Sequence, residues 1–265
     1  MAAIDCEILP HGFLLHDGFL EFQGPDDVNH PQNWTISRRI WATFMLSLFN
    51  LVVTISSSIF SAAQKPVEQE FKVSHEVTVL GTTLFLTGYI IGPLVFGPIS
   101  ERVGRKYPLL GGVAISSVFG LMPALGRTIQ TILIGRFFGG LFGVSPIAVL
   151  GGVITDCWNV QYRGIAMAFC IGLNFCGPSF GPIIGNLITE SGISWRWVIW
   201  TTMIAGLILS LLGLLTFPET YPPVILQRTA KRYRDMGYLH VRSRLEAEEN
   251  KASNLARVYL VRPWR

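Results

Sequence analysis

Arg136 is the only charged residue between Thr128 and Thr155. A guanidinium left facing lipid at that depth would cost about 2.5–3.5 kcal/mol or more. It must therefore face a bundle of helices or a wet cavity, where bonds to backbone carbonyls would make it a structural tie. A second concentration of charge lies in "GPISERVGRK", Gly97 to Lys106, where Glu101, Arg102, Arg105 and Lys106 interrupt two long uncharged stretches. Glu101 can pair with Arg102 or Arg105, or sit at a helix N-terminus where the dipole favours negative charge. Arg105 and Lys106 can hold a short loop on the cytosolic side, and charge alone fits a simple positive-inside loop equally well.

Small residues accompany these charges. Gly97 would let another helix approach closely, and Gly104 interrupts the charged loop. Gly135, Gly139 and Gly143 recur every fourth residue around Arg136, and Gly177, Gly181 and Gly185 repeat that spacing further on. Each set lays a flat stripe along a helix and permits close contact. Pro178 and Pro182 lie one turn apart in the second set, and each removes a backbone donor and can bend a helix. Tight packing alone would account for the stripes, while a bent, glycine-striped helix also suits a rocking motion.

The elements that must carry these residues follow from composition. The chain has 265 residues, of which 50% are hydrophobic and only 14% charged. A soluble domain usually carries roughly 25% charged residues. Reading from charge to charge gives six spans: Ile40–Ala63, Val77–Ser100, Tyr107–Gly126, Thr128–Thr155, Gly164–Thr189 and Trp197–Pro218. Each supplies the about 20 apolar residues that a helix needs to cross hydrocarbon. The runs are too long for barrel strands and do not alternate. The expected class is an all-α membrane protein, with no Asp or Glu inside any span.

Basic residues orient the spans. One side would hold Arg38, Arg39, Arg102, Arg105, Lys106, Arg163, Arg228, Lys231, Arg232 and Arg234, and the other only Lys65, Lys72, Arg127 and Arg196. The richer side is expected in the cytosol, with both termini. The sequon Asn33-Trp34-Thr35 should then stay unglycosylated. Residues 1–38 read as a mostly disordered cytosolic tail, residues 39–218 as the bundle, and residues 219–265 as a cytosolic linker with a surface helix in "SRLEAEENKASNLARVYL".

Several function classes are set aside. The net charge of +4 is spread over span flanks, which argues against nucleic acid. All five histidines fall outside the spans, so no catalytic serine–histidine pair or metal cluster forms at membrane depth. The four cysteines show no metal-ligand spacing, and the start of the chain has no basic region of a secretory signal. No enzyme activity, cofactor or metal is expected.

The stretch Gly97-Pro98-Ile99-Ser100-Glu101-Arg102-Val103-Gly104-Arg105-Lys106 resembles the signature loop between the second and third helices of the major facilitator superfamily. Ile99 stands for the usual leucine and Glu101 for the usual aspartate, as in the fungal drug:proton antiporter branch. Four stretches add to the resemblance: "PDDVNHPQNW" before the first span, "LIGRFFGGLFG" in the fourth, "GLNFCGPSFGPIIG" in the fifth and "FPETYPPVIL" after the sixth. The resemblance covers about residues 26–265. It implies a gating role for Gly97, Glu101, Arg102, Gly104, Arg105 and Lys106. It implies proton coupling for Arg136, through the pKa of a nearby acid. It implies a conformational switch at Gly177, Pro178, Gly181, Pro182 and Gly185. A substrate cavity would draw on Phe49, Asn50, Tyr89 and Asn174. The acid often found in the first helix of such antiporters is absent, with Asn50 the nearest polar residue.

The superfamily fold has twelve helices in two halves around a midplane cavity, and this chain resembles an N-terminal half with its linker. The expected function is proton-coupled efflux of drugs, toxins or a secondary metabolite by a truncated transporter in the plasma membrane. The alternative is a transport-inactive half that binds or regulates a membrane partner. Expected partners are a small amphipathic substrate, protons, the bilayer, and a second half or a second copy.

Overall fold

The computed structural model describes residues 6–9, 13–16, 19–24, 27–238 and 241–246. Among them six helices are long and apolar enough to cross a membrane, and they coincide with the six expected runs. The first span, Ile36–Phe71, comprises α1 (Ile36–Ser58), a 3-10 turn (Ile59–Ala63) and α2 (Gln64–Phe71). The second is α3 (His75–Val103). The third joins α4 (Lys106–Phe119) to α5 (Leu121–Leu125). The fourth joins α6 (Ile129–Gly143) to α7 (Ser145–Cys157), with Pro146 in the first turn of α7. The fifth is α8 (Val160–Glu190), which stays helical through Pro178 and Pro182, and the sixth is α9 (Arg196–Thr216). Amphipathic α10 (Pro222–Asp235) follows.

The helices extend past the uncharged runs. Asp156 lies inside α7, and Glu68 and Glu70 lie in α2, so the helices carry acids just beyond the acid-free runs. The reason is simple: a helix goes on beyond the last apolar residue wherever its backbone bonds are satisfied and its charges reach water or a partner.

Lipid tails are as apolar as leucine, so close contact and polar ties hold such helices together rather than a hydrophobic drive. Two seams depend on glycine. A Cβ on Gly177 would run into Thr54 Oγ1, one on Gly181 into Ser58 Oγ, and one on Gly185 would stand 2.6 Å from Ala62 Cβ. This fixes α8 against α1, with Ser47 Oγ bonded to Cys170 Sγ at 3.0 Å further along. At the second seam α3 lies on α6: a Cβ on Gly140 would strike the Phe85 carbonyl, and one on Gly88 would stand 2.6 Å from the Phe137 carbonyl. The second span therefore takes its closest partner from the fourth, although the short loop links it to the third.

The expected stripe Gly135, Gly139 and Gly143 mostly faces the third span. Gly135 lies under Met122 and Pro123, Gly143 lies near Ser116, and the Gly139 carbonyl accepts Ser116 Oγ at 2.6 Å. Nothing stands within 4 Å of a Cβ built on Gly97, so the close approach expected there is not made among the described residues.

The expectation of a mostly disordered N-terminal tail is corrected. Strands β1 (Cys6–Leu9), β2 (Phe13–His16) and β3 (Phe19–Phe22) form an antiparallel sheet in which Phe13 pairs with Phe22 and Leu15 with Leu20. Phe13, Leu15 and Leu20 pack on Ala230 and Tyr233 of α10 and on Val241. Strands this short are marginal alone, and the apolar face of α10 is what makes them hold. The Arg234 guanidinium clasps Glu246 through two bonds of 2.8 and 2.6 Å and keeps that carboxyl below the usual range. Most of the expected surface helix lies outside the described residues.

Gly140→Ala is expected to destabilise the bundle by about 1–3 kcal/mol, because the new methyl meets backbone that cannot yield. Gly97→Ala is expected to be neutral or slightly stabilising. Thermal unfolding of purified protein, followed by circular dichroism, checks both.

Candidate functional site

Arg136 is 3% exposed at the meeting of the first, second and fourth spans. Its Nε donates to the Gly81 carbonyl at 3.1 Å, Nη1 to Ser56 at 2.9 Å and Nη2 to Ser57 at 3.0 Å. The rings of Phe85 and Phe60 stand 4.2 and 4.9 Å from its central carbon. The site exists because α1 gives way to a 3-10 turn at Ile59, where the regular pairing of the Ser56 and Ser57 carbonyls ends. A cavity of about 30 Å³ beside it is lined by Ser56, Phe85, Ser116, Gly139, Thr202 and Met203, among others. A guanidinium has five N–H donors, and the bonds here commit three. Among the described residues its three hydrogen-bond partners are all backbone carbonyls.

At the end of the bundle that holds residues 97–106, Arg105 organises a second polar cluster. It is only 9% exposed. Its Nε meets Asp156 Oδ2 at 3.3 Å, its Nη1 donates to Ser100 Oγ at 2.6 Å, and its guanidinium lies 4.8 Å from the Tyr221 ring centroid. The Arg105 backbone N–H donates to Glu219 Oε1 at 2.8 Å, and the Thr220 and Tyr221 N–H groups reach the same oxygen at 3.1 and 3.2 Å. Gly104 has φ +98°, and a side chain there would collide with the Glu219 carboxylate. A Cβ on Gly152 would strike the Arg105 guanidinium. Arg105 thus latches the loop after the second span to the fourth span and to the segment after the sixth. Lys106 adds a bond to the Leu214 carbonyl at 2.9 Å.

The other expected residues are scattered. Glu101 is exposed in the last turn of α3, so it does not sit at a helix N-terminus, and Arg105 takes Asp156 as its acid. Arg102 is half-buried beside it. Phe49 is fully buried against Gly213 and Leu110. Asn50 is fully buried too, with Nδ2 on the Leu46 carbonyl at 2.9 Å and Oδ1 without a partner among the described residues. Tyr89 donates to the Val53 carbonyl at 3.0 Å, one turn from Phe85. Asn174 is half-buried on α8. Gly177, Gly181 and Gly185 face α1, while Pro178 is exposed and Pro182 half-buried.

Sequence reasoning missed Asp156 and Glu219 as partners of Arg105. The signal was present: each is the first acid after its span, and an aromatic residue, Trp158 or Tyr221, stands two positions further on.

The profile of the Major Facilitator Superfamily matches residues 46–264. The chain belongs to this superfamily. Among curated relatives, the citrinin biosynthesis cluster MFS transporter of Monascus ruber is 40% identical over 92% of this chain and 49% of its own length. An efflux pump of Gibberella fujikuroi is 37% identical over 92% of this chain and 51% of its own length. This superfamily member thus spans about half the length of the curated relatives it matches. A solved superfamily proton:xylose symporter shares the fold with a TM-score of 0.65 at 19% identity, over 82% of this chain and 52% of that one.

The latch yields a double-mutant test. Arg105→Leu leaves Asp156 without its cation and is expected to cost about 3–5 kcal/mol. Arg105→Leu with Asp156→Leu is expected to recover most of that loss. Chemical denaturation of both variants in detergent measures the coupling.

Proposed function

We propose that the chain forms the first six-helix bundle of a proton-coupled efflux transporter for small amphipathic compounds, such as secondary metabolites. One observation carries this reading: among the described residues, the second and fifth spans leave long apolar faces uncovered. Ile90 and Leu94 of α3 are 75% and 73% exposed, and Phe175 and Leu187 of α8 are 72% and 65% exposed. Relatives named as an efflux pump and as a biosynthesis-cluster transporter, each about twice as long, support the same assignment. A second bundle against those two faces would enclose a central site and allow rocking between two openings.

In this proposal Arg136 holds the first, second and fourth spans in one rigid unit, and its two uncommitted donors serve proton coupling beside the small cavity. The latch at Arg105 opens and closes with the cytosolic gate formed by residues 97–106. Gly177, Gly181 and Gly185, with Pro178 and Pro182, let the fifth span move as one piece with the first. Tyr89 and Asn174, both half-buried, are the polar groups offered toward a substrate, and Asn50 lies buried behind them. The protein would reside in the plasma membrane with the latch end in the cytosol.

Expressed alone in cells stripped of their own pumps, the chain is expected to leave retention of a fluorescent drug unchanged. Fused to the second half of a relative, it is expected to lower retention. In that fusion Arg136→Ala should abolish proton-coupled efflux, and Arg136→Lys should keep only part of it, since lysine lacks the planar fork. Robust efflux by a strictly monomeric chain would overturn the need for a second bundle. A folded fusion with no efflux of any tested compound would overturn the transporter reading.

Topology has its own test. A cysteine replacing exposed Glu101 is expected to react with an impermeant maleimide only after the membrane is opened. Labelling from outside intact cells would invert the orientation.

A further inference from the structure

A groove of about 620 Å³ runs between the segment before α1 and the exposed face of α10. Trp34 and Arg38 line one side, and Arg228 and Arg232 the other. The Arg38 guanidinium lies flat on the Trp34 ring, 3.8 Å from its centroid. Stacking uses the face of the guanidinium and leaves its N–H edge available. Neither Arg38 nor Arg232 has an ion pair or a side-chain hydrogen bond among the described residues. Arg228 meets Glu219 at 3.3 Å, but that carboxylate already accepts three backbone N–H groups. The groove thus gathers three guanidinium groups around one committed carboxylate.

Two exposed apolar side chains also line it: Val28, 78% exposed, and Met236, 54% exposed. Its level is set by the chain itself: Trp34 stands two residues before the first span begins at Ile36, and Glu219 three residues after the sixth ends at Thr216. That is the depth at which lipid headgroups meet water. A free anion would use the cations and leave Val28 and Met236 bare. A molecule with a phosphate beside hydrocarbon uses both.

We propose that this groove binds the headgroup of an acidic phospholipid, with its phosphate on Arg38 and Arg232 and its chains over Val28 and Met236. A bound lipid would bridge the segment entering the first span and the helix leaving the sixth. Each cation near an acidic membrane surface strengthens attraction by about fivefold, so the pair is expected to contribute roughly thirtyfold.

The test uses the full chain in nanodiscs of equal phosphatidylserine and phosphatidylcholine, released and weighed by native mass spectrometry. At least one phosphatidylserine should stay bound in preference to phosphatidylcholine. Arg38→Gln with Arg232→Gln should lower that retention about thirtyfold, while Lys65→Gln at the opposite end should not. Equal retention of both lipids, or equal loss in the Lys65→Gln control, would overturn the proposal. Displacement of the lipid by millimolar inorganic phosphate would reassign the groove to a free anion. Should the double variant fail to fold, salt titration of the unmodified chain decides: the preference for phosphatidylserine must fall as salt rises, and a preference indifferent to salt would sink the assignment.

Discussion

A charged side chain cannot remain at membrane depth without partners, and much of this bundle is arranged around that constraint. Arg136 takes a carbonyl from Gly81 and two from Ser56 and Ser57. Those carbonyls are offered because the first span tightens into a 3-10 turn below a run of serines. Ser57 and Ser58 bond back to carbonyls of their own helix, a habit that bends helices. Three spans are thereby tied at one point, and the glycine seams hold the same helices close along their length. Losing the guanidinium would take that donor from the buried Ser56 and Ser57 carbonyls at the end of α1, at about 1–3 kcal/mol each.

The latch end obeys the same rule in a wetter setting. Arg105 is nearly buried, so Asp156 and Ser100 must meet its donors, while its backbone joins those of Thr220 and Tyr221 in meeting Glu219. Gly104 is needed because its left-handed backbone leaves room for that carboxylate. Glu219 then links the latch to Arg228 on α10, and α10 carries the N-terminal sheet. Residues far apart in sequence thus form one connected layer at that end, from β3 through α10 to the loop after the second span.

The bundle is lopsided. The first span is the most enclosed, while the fifth buries only one narrow stripe of glycine and its neighbours. A helix with one packed edge and a broad apolar surface needs either lipid or another protein against it. In the proposed transporter that surface meets the second bundle, and the glycine seam with α1 is what lets the fifth span move without shedding its own partner.

Much was legible without coordinates. Long uncharged runs could only be membrane helices, because every backbone group in lipid must be bonded within its own segment. Arg136 was bound to face inward, and the charged loop was bound to cluster, for reasons of solvation that depend on composition alone. The N-terminal strands were not legible: they are too short to signal themselves, and their apolar residues count only once α10 lies beneath them. Nor could the sequence assign partners. It did not say whether Arg136 met an acid or carbonyls, whether Arg105 chose Glu101 or Asp156, or that Gly140 and not Gly97 marks a close crossing. Those choices turn on distances of a few ångströms between segments remote in the chain, and only the packing of six helices against one another sets them.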